Sequence, residues 1–278
     1  MNAPSNDRIY VLTRIVAAVI IPFLLLAFLI LFFFPEESGE RFAYKITPSV
    51  MAAYVGAGYL GGAYLFAHVL FGKCWHRVAL GFPPVTAFTI SMLLVTFLHW
   101  NRYSIDDLPF QLWLGLYLMT PVLVPALWLY NRGTDPRLPE PGDVEVAHAF
   151  RIAVRLFGLA MAAIVVAGFI RPGALIAFWP WPLSDLTARL LSGWGALLAV
   201  ANIYISFESR WSAWRVGVES IALWHALFLV AAFMNPQDFD GGRLANWYVI
   251  SVIAVLVLMA IAYLAMETQR HRKLRALD

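Results

Sequence analysis

WHRVALGFPPVTAFTISMLLVTFLHWNRY, residues 75–103, is the stretch whose reading decides the fold. Between Trp75-His76-Arg77 and His99-Trp100-Asn101-Arg102-Tyr103 lie about twenty mostly apolar residues, which at about 1.5 Å per residue cross a bilayer core of roughly 30 Å. The stretch reads as a membrane-spanning helix, and as an irregular one. Pro83 and Pro84 lack backbone donors, and Thr86, Thr89, Ser91 and Thr96 put hydroxyls where a plain span carries Leu. Such irregularity persists at membrane depth only where neighbouring helices or a wet cavity satisfy the freed carbonyls.

The same signal recurs along the chain. Apolar runs of spanning length fall at 10–34, 49–71, 78–98, 109–130, 149–170, 186–206, 216–234 and 246–266. With 61% hydrophobic and 13% charged residues and a mean hydropathy of +0.72, the 278 residues are far more apolar than a soluble domain. The expected fold class is therefore all-α, a polytopic bundle of eight transmembrane helices with the lipid bilayer as its partner. The first run is too long for a signal-peptide core, so it is read as a retained span. A net charge of +3 does not point to nucleic acid, because the charges fall in loops and at the tail. The single Cys74 excludes an internal disulfide and a cysteine-rich metal or iron–sulfur site.

Short connections make sequential helices antiparallel neighbours. Only 131–148, with three prolines and mixed charge, reads as a true linker without a packed core, dividing a first four-helix half (1–130) from a second (149–278). The halves share features at a spacing of 137 residues: Arg14-Ile15 and Arg151-Ile152, Phe32 and Phe169, Pro35 and Pro172, Gly56-Ala57-Gly58 and Gly193-Trp194-Gly195. That suggests a 4+4 tandem repeat whose halves keep one orientation. Pro22, Pro83, Pro84, Pro121 and Pro125 interrupt spans of the first half only. They are ordinary membrane-helix prolines, or they open a cavity between the third and fourth spans.

Basic residues set the orientation. Fourteen of the twenty Lys and Arg residues fall on the side of both termini, against Arg41, Lys45, Arg102, Arg171, Arg189 and Arg243 on the other. This split places both termini in the cytoplasm. Trp75, Trp128, Trp211 and Trp214 are expected at the inner interface, and Trp100, Trp113, Trp179, Trp181 and Trp247 at the outer one, with Trp194 and Trp224 deeper.

Small residues four apart, Gly58 and Gly62 with Gly56 nearby, and Gly195 and Ala199 with Gly193, predict close packing of the second and sixth spans. No two span histidines share a depth, which argues against a bis-histidine haem and a zinc site. His225 lies mid-membrane, where an ionisable group is either a site or a neutral imidazole bonded to a backbone carbonyl or to Asn202. At the outer face His99 and Arg102, with Asp106 and Asp107 close by, form either part of an aromatic belt with solvated charge or a vestibule for a small anionic solute or lipid headgroup. Asp185, and Asp238 and Asp240 with Arg243, would join them there. No H-E-x-x-H, G-x-S-x-G, P-loop or dinucleotide fingerprint occurs. The expectation is a carrier or binder rather than an enzyme, with no cofactor, and a haem-binding or redox membrane subunit is the alternative.

Trp179-Pro180-Trp181-Pro182-Leu183, followed by Leu186-Thr187-Ala188-Arg189 and Gly193-Trp194, resembles an uncharacterised group of bacterial multi-pass membrane proteins. Pro121-Val122-Leu123-Val124-Pro125-Ala126-Leu127-Trp128, leading into Asn131-Arg132 and Asp135-Pro136, is similar to the same group. Asp185 stands where that group more often has proline. The resemblance implies a bacterial inner membrane and no particular activity.

Overall fold

A computed structural model describes residues 6–239 and 245–276, so Asp240 and Arg243 lie outside the described residues. Eight helices are long and apolar enough to cross a membrane. They are α1 (Val11–Phe33), α2 (Ser49–Phe71), α3 (His76–Leu98), α4 (Leu108–Asn131), α5 (His148–Ile170), α6 (Asp185–Ile205), α7 (Trp211–Met234) and α8 (Ala245–Arg275). Lipid offers no hydrogen bonds, so each apolar run closes its own backbone as a helix. Asp185 opens α6, directly after an N-cap in which Ser184 and Thr187 satisfy each other's backbone N–H.

The helices pair in two rows. In one, α1 packs on α2, α2 on α7 and α7 on α8; in the other, α5 packs on α6, α6 on α3 and α3 on α4. Exchanging each helix for the one four places along turns one row into the other. Each row thus takes two helices from each half of the sequence. Helix α2 is the most enclosed, while α5 and α8 turn most of their surface outward.

Several expectations are corrected. Helix α3 breaks at Leu80-Gly81, where a Cβ on Gly81 would stand 2.5 Å from Leu65 of α2. Pro83 and Pro84 lie in the first turn after that break, where their missing N–H groups would have no helical partner anyway. They start a helix. Helices α2 and α6 do not form the close pair that their glycines suggested. Gly58 is covered by the indole of Trp194, Gly56 backs onto Leu31 and Phe32 of α1, and Gly62 meets only Leu24 at 3.5 Å. Gly193 faces Met92, and Gly195 faces Val165. At Gly61 a Cβ would stand 2.9 Å from the Ser220 carbonyl oxygen of α7, and the Gly61 carbonyl accepts the Ser220 hydroxyl at 2.7 Å.

The linker is no loose spacer either. Val144 and Val146 are buried against Trp211 and Trp214, and Arg210 clamps Asp135 of the linker together with Glu208. Trp211 and Trp214 are buried beneath this strap, and Trp75 is buried in a separate cluster with Ile9, Val78 and Phe82. In the middle of the molecule Tyr59, Phe88, Tyr117, Trp194 and Trp224 interlock as an aromatic layer, with the Tyr59 and Tyr117 hydroxyls 3.1 Å apart.

Candidate functional site

The residues singled out at the end opposite the termini do not assemble into one site. Arg189 donates to His99 Nε2 at 3.0 Å, and the same guanidinium donates to the Phe169 carbonyl. Burial and then the Arg189 cation hold His99 below the ordinary histidine value. Arg102, Asp106 and Asp107 are exposed, and no ion pair among the described residues joins them. His225 is buried and its Nδ1 lies 2.8 Å from the Ile221 carbonyl of its own helix; Asn202 turns to Leu198 instead.

Chemistry gathers at the basic end, where α3 and α7 begin. Asp7 accepts the His76 N–H at 3.0 Å through one carboxylate oxygen, and its other oxygen lies 2.5 Å from His76 Nδ1. In the same way Asp143 accepts the Ser212 N–H at 3.0 Å, and the Ser212 hydroxyl donates to its second oxygen at 2.6 Å. Each acid thus satisfies the orphan amide at a helix N-terminus, where the helix dipole favours negative charge. The two assemblies meet, because His76 Nε2 lies 3.0 Å from Ser212 Oγ. His76, Ser212 and Asp143 are all buried.

The correspondence extends to the surroundings. Arg14 Nε donates to the Ile9 carbonyl at 3.3 Å, and Arg151 Nε to the Val146 carbonyl at 3.2 Å. Short bridges join Arg8 to Cys74 and Glu145 to Arg210. Asp7, Trp75 and His76 lie 136 positions before Asp143, Trp211 and Ser212, so a one-residue slip from the spacing of 137 hides this correspondence in the sequence.

Beside this junction lies a cavity of about 260 Å³ between α2, the start of α3 and α7. Lys73, Arg77, Arg215, Glu140 and Glu219 line it together with Tyr64, His68, Cys74 and Ser212. Glu140, from the linker, pairs with Arg77 and with Arg270 of α8. Glu219 accepts from Tyr64 at 2.7 Å, Tyr263 at 2.6 Å and Arg215 at 3.0 Å, which ties α2, α7 and α8 together. A second cavity of about 280 Å³ between α1 and α4 is bordered by apolar residues such as Val19, Leu112 and Met119.

Two chemistries that the junction suggests do not fit it. Asp7, His76 and Ser212 follow the order of an acid–base–nucleophile triad, but the hydroxyl hydrogen already goes to Asp143 and the residue is buried, so no nucleophile is presented. The donor atoms of Asp7, Cys74 and His76 lie within 4.8 Å of one another, the one such group among the described residues. Yet 2.5 Å between Asp7 and His76 is a hydrogen bond, shorter than the roughly 3 Å that separates ligands sharing one zinc. Burial, helped by the Asp7 carboxylate, also pushes the Cys74 thiol up, away from the thiolate form. No family model, curated protein or solved structure matches the chain.

Proposed function

We propose that the protein is a membrane carrier or binder that takes a small anionic group, from a solute or a lipid headgroup, into the cavity at its basic end. The observation that supports this reading is the convergence of Arg77, Arg215 and the exposed Lys73 on one polar cavity at the membrane edge. Guanidinium groups make paired bonds to carboxylate or phosphate, and a lysine at the rim raises the local concentration of anions. Glu140 now occupies Arg77, and Glu219 occupies Arg215. An entering anion exchanges with these acids. The aromatic layer around Trp194 closes the way beyond the cavity, as a carrier needs when it opens to one side at a time. The basic end faces the cytoplasm in this proposal, because most Lys and Arg lie there.

Thermal shift of the purified protein tests it, with orthophosphate, di- and tricarboxylates, and phosphatidylglycerol in mixed micelles as separate arms. A free anion that raises the melt points to a solute, and an effect of phosphatidylglycerol alone points to a lipid headgroup. Arg77→Ala is expected to weaken the active ligand at least tenfold, about 1.4 kcal/mol, whereas Glu140→Gln, which frees Arg77, tightens it. The reading fails when no arm stabilises the parent, or when Arg77→Ala responds as the parent does.

A further inference from the structure

We infer that the junction between the starts of α3 and α7 is a binding site for one proton, held in common by Asp7, His76, Ser212 and Asp143. Three contacts run in series, at 2.5 Å from Asp7 to His76 Nδ1, 3.0 Å from His76 Nε2 to Ser212, and 2.6 Å from Ser212 to Asp143. Each needs one hydrogen. Two carboxylates, a neutral imidazole and a hydroxyl supply only two. The third is an extra proton; placed on the imidazole, ordinarily the strongest base of the four groups, it makes His76 an imidazolium that donates from both nitrogens, while the serine hydroxyl donates onward to Asp143.

The surroundings support a cation at this point. Glu140 lies 3.9 Å from His76 Nε2. Asp135 and Glu208 are nearby but are bound by Arg210; Arg77 and Arg270 are bound by Glu140, and Arg215 by Glu219. Lys273 donates to the Asp143 carbonyl, and Cys74 stays a neutral thiol. When the proton leaves, the serine hydroxyl can serve His76 or Asp143 but not both, and one hydrogen bond between the two rows of helices is lost next to the cavity that Ser212 lines. On the carrier reading, which this inference extends, the coupling ion is therefore a proton.

The test is a nitrogen NMR spectrum of the full chain, labelled with [15N]histidine, in detergent near pH 7.5 with no solute added. The imidazole signal that His76→Gln removes should show both nitrogens protonated. Asp143→Asn supplies an amide hydrogen to Ser212, which lets the hydroxyl serve His76, so the extra proton is no longer needed. That variant should melt like the parent and show a neutral His76. Asp7→Asn asks the same question from the other side should Asp143→Asn not fold. A neutral His76 in the parent, or an imidazolium that persists in the folded Asn variant, overturns the inference. Because no solute is present, failure of the carrier reading leaves this result untouched.

Discussion

Arg210 holds Asp135 through both oxygens at 2.8 Å and Glu208 at 2.7 Å, just before the start of α7. Burial alone would push both carboxyls up, but the guanidinium outweighs it and holds them below the usual range. The stability contributed by these pairs is present above the unfolded carboxyl values of about 4 and is lost as pH falls through the lower folded values. His99, held down by burial and by Arg189, accepts a hydrogen bond as the neutral base. Its contribution is present above the unfolded histidine value of about 6.5 and fades as pH drops below it. Melting curves recorded from about pH 7.5 to pH 3 should therefore fall in two regions. His99→Gln should flatten the upper one. Arg210→Met should cost on the order of 3 kcal/mol at neutral pH, because it strands two half-buried acids. A curve for His99→Gln that superimposes on the parent's would mean that the Arg189 contact does not persist in solution. His99 was legible as a polar residue at a span end, whereas its partner was not, since Arg189 lies ninety positions away on another helix.

The helices themselves were legible because a bilayer demands length and hydropathy of every element that crosses it. The predicted run 49–71 coincides with α2, and the others end within a residue or two of their helices except at α7, which starts earlier, at Trp211, and at α8, which continues to Arg275 and brings Arg270 and Lys273 onto the linker. Helix partners were less legible, because small-residue spacing marks where a backbone is bare without saying what covers it. Gly58 and Gly62 lie one turn apart on α2 yet face different neighbours. A Cβ on Gly58 would stand 2.6 Å from the Trp194 ring, whereas one on Gly62 meets a single methyl at an ordinary 3.5 Å. Gly58→Leu should therefore lower stability by about 1–3 kcal/mol through overpacking, while Gly62→Leu should leave the detergent melt nearly unchanged. Equal losses in both variants would show that the two glycines share one tight interface. The linker misled for a related reason. Its prolines and charges look unable to pack, yet Asp135, Glu140 and Asp143 find partners on α3, α7 and α8, far away in sequence.

The whole molecule follows from how its two rows interlock. Helices α1 and α2 meet α7 and α8, and helices α5 and α6 meet α3 and α4. Neither half of the sequence therefore contains a complete row. In the first half alone, α2 would lose α7 and with it the Gly61–Ser220 contact, the Trp224 indole bond to the Tyr54 carbonyl and the tie from Tyr64 to Glu219. Helix α3 would lose α6, the Trp194 ring against Phe88 and the Ser212 partner of His76. These losses are buried polar partners as well as packing, and an orphaned buried group costs about 1–3 kcal/mol. A chain cut at the exposed Leu138–Pro139 link should therefore behave as an obligate pair of fragments. Residues 1–138 and 139–278 made together should co-purify and approach the melt of the intact chain, lowered by the loss of one covalent connection. Made singly, each should aggregate or be degraded. If either fragment alone gave a monodisperse, cooperatively melting species, the halves would be independent bundles and the exchange of helices between rows would be wrong.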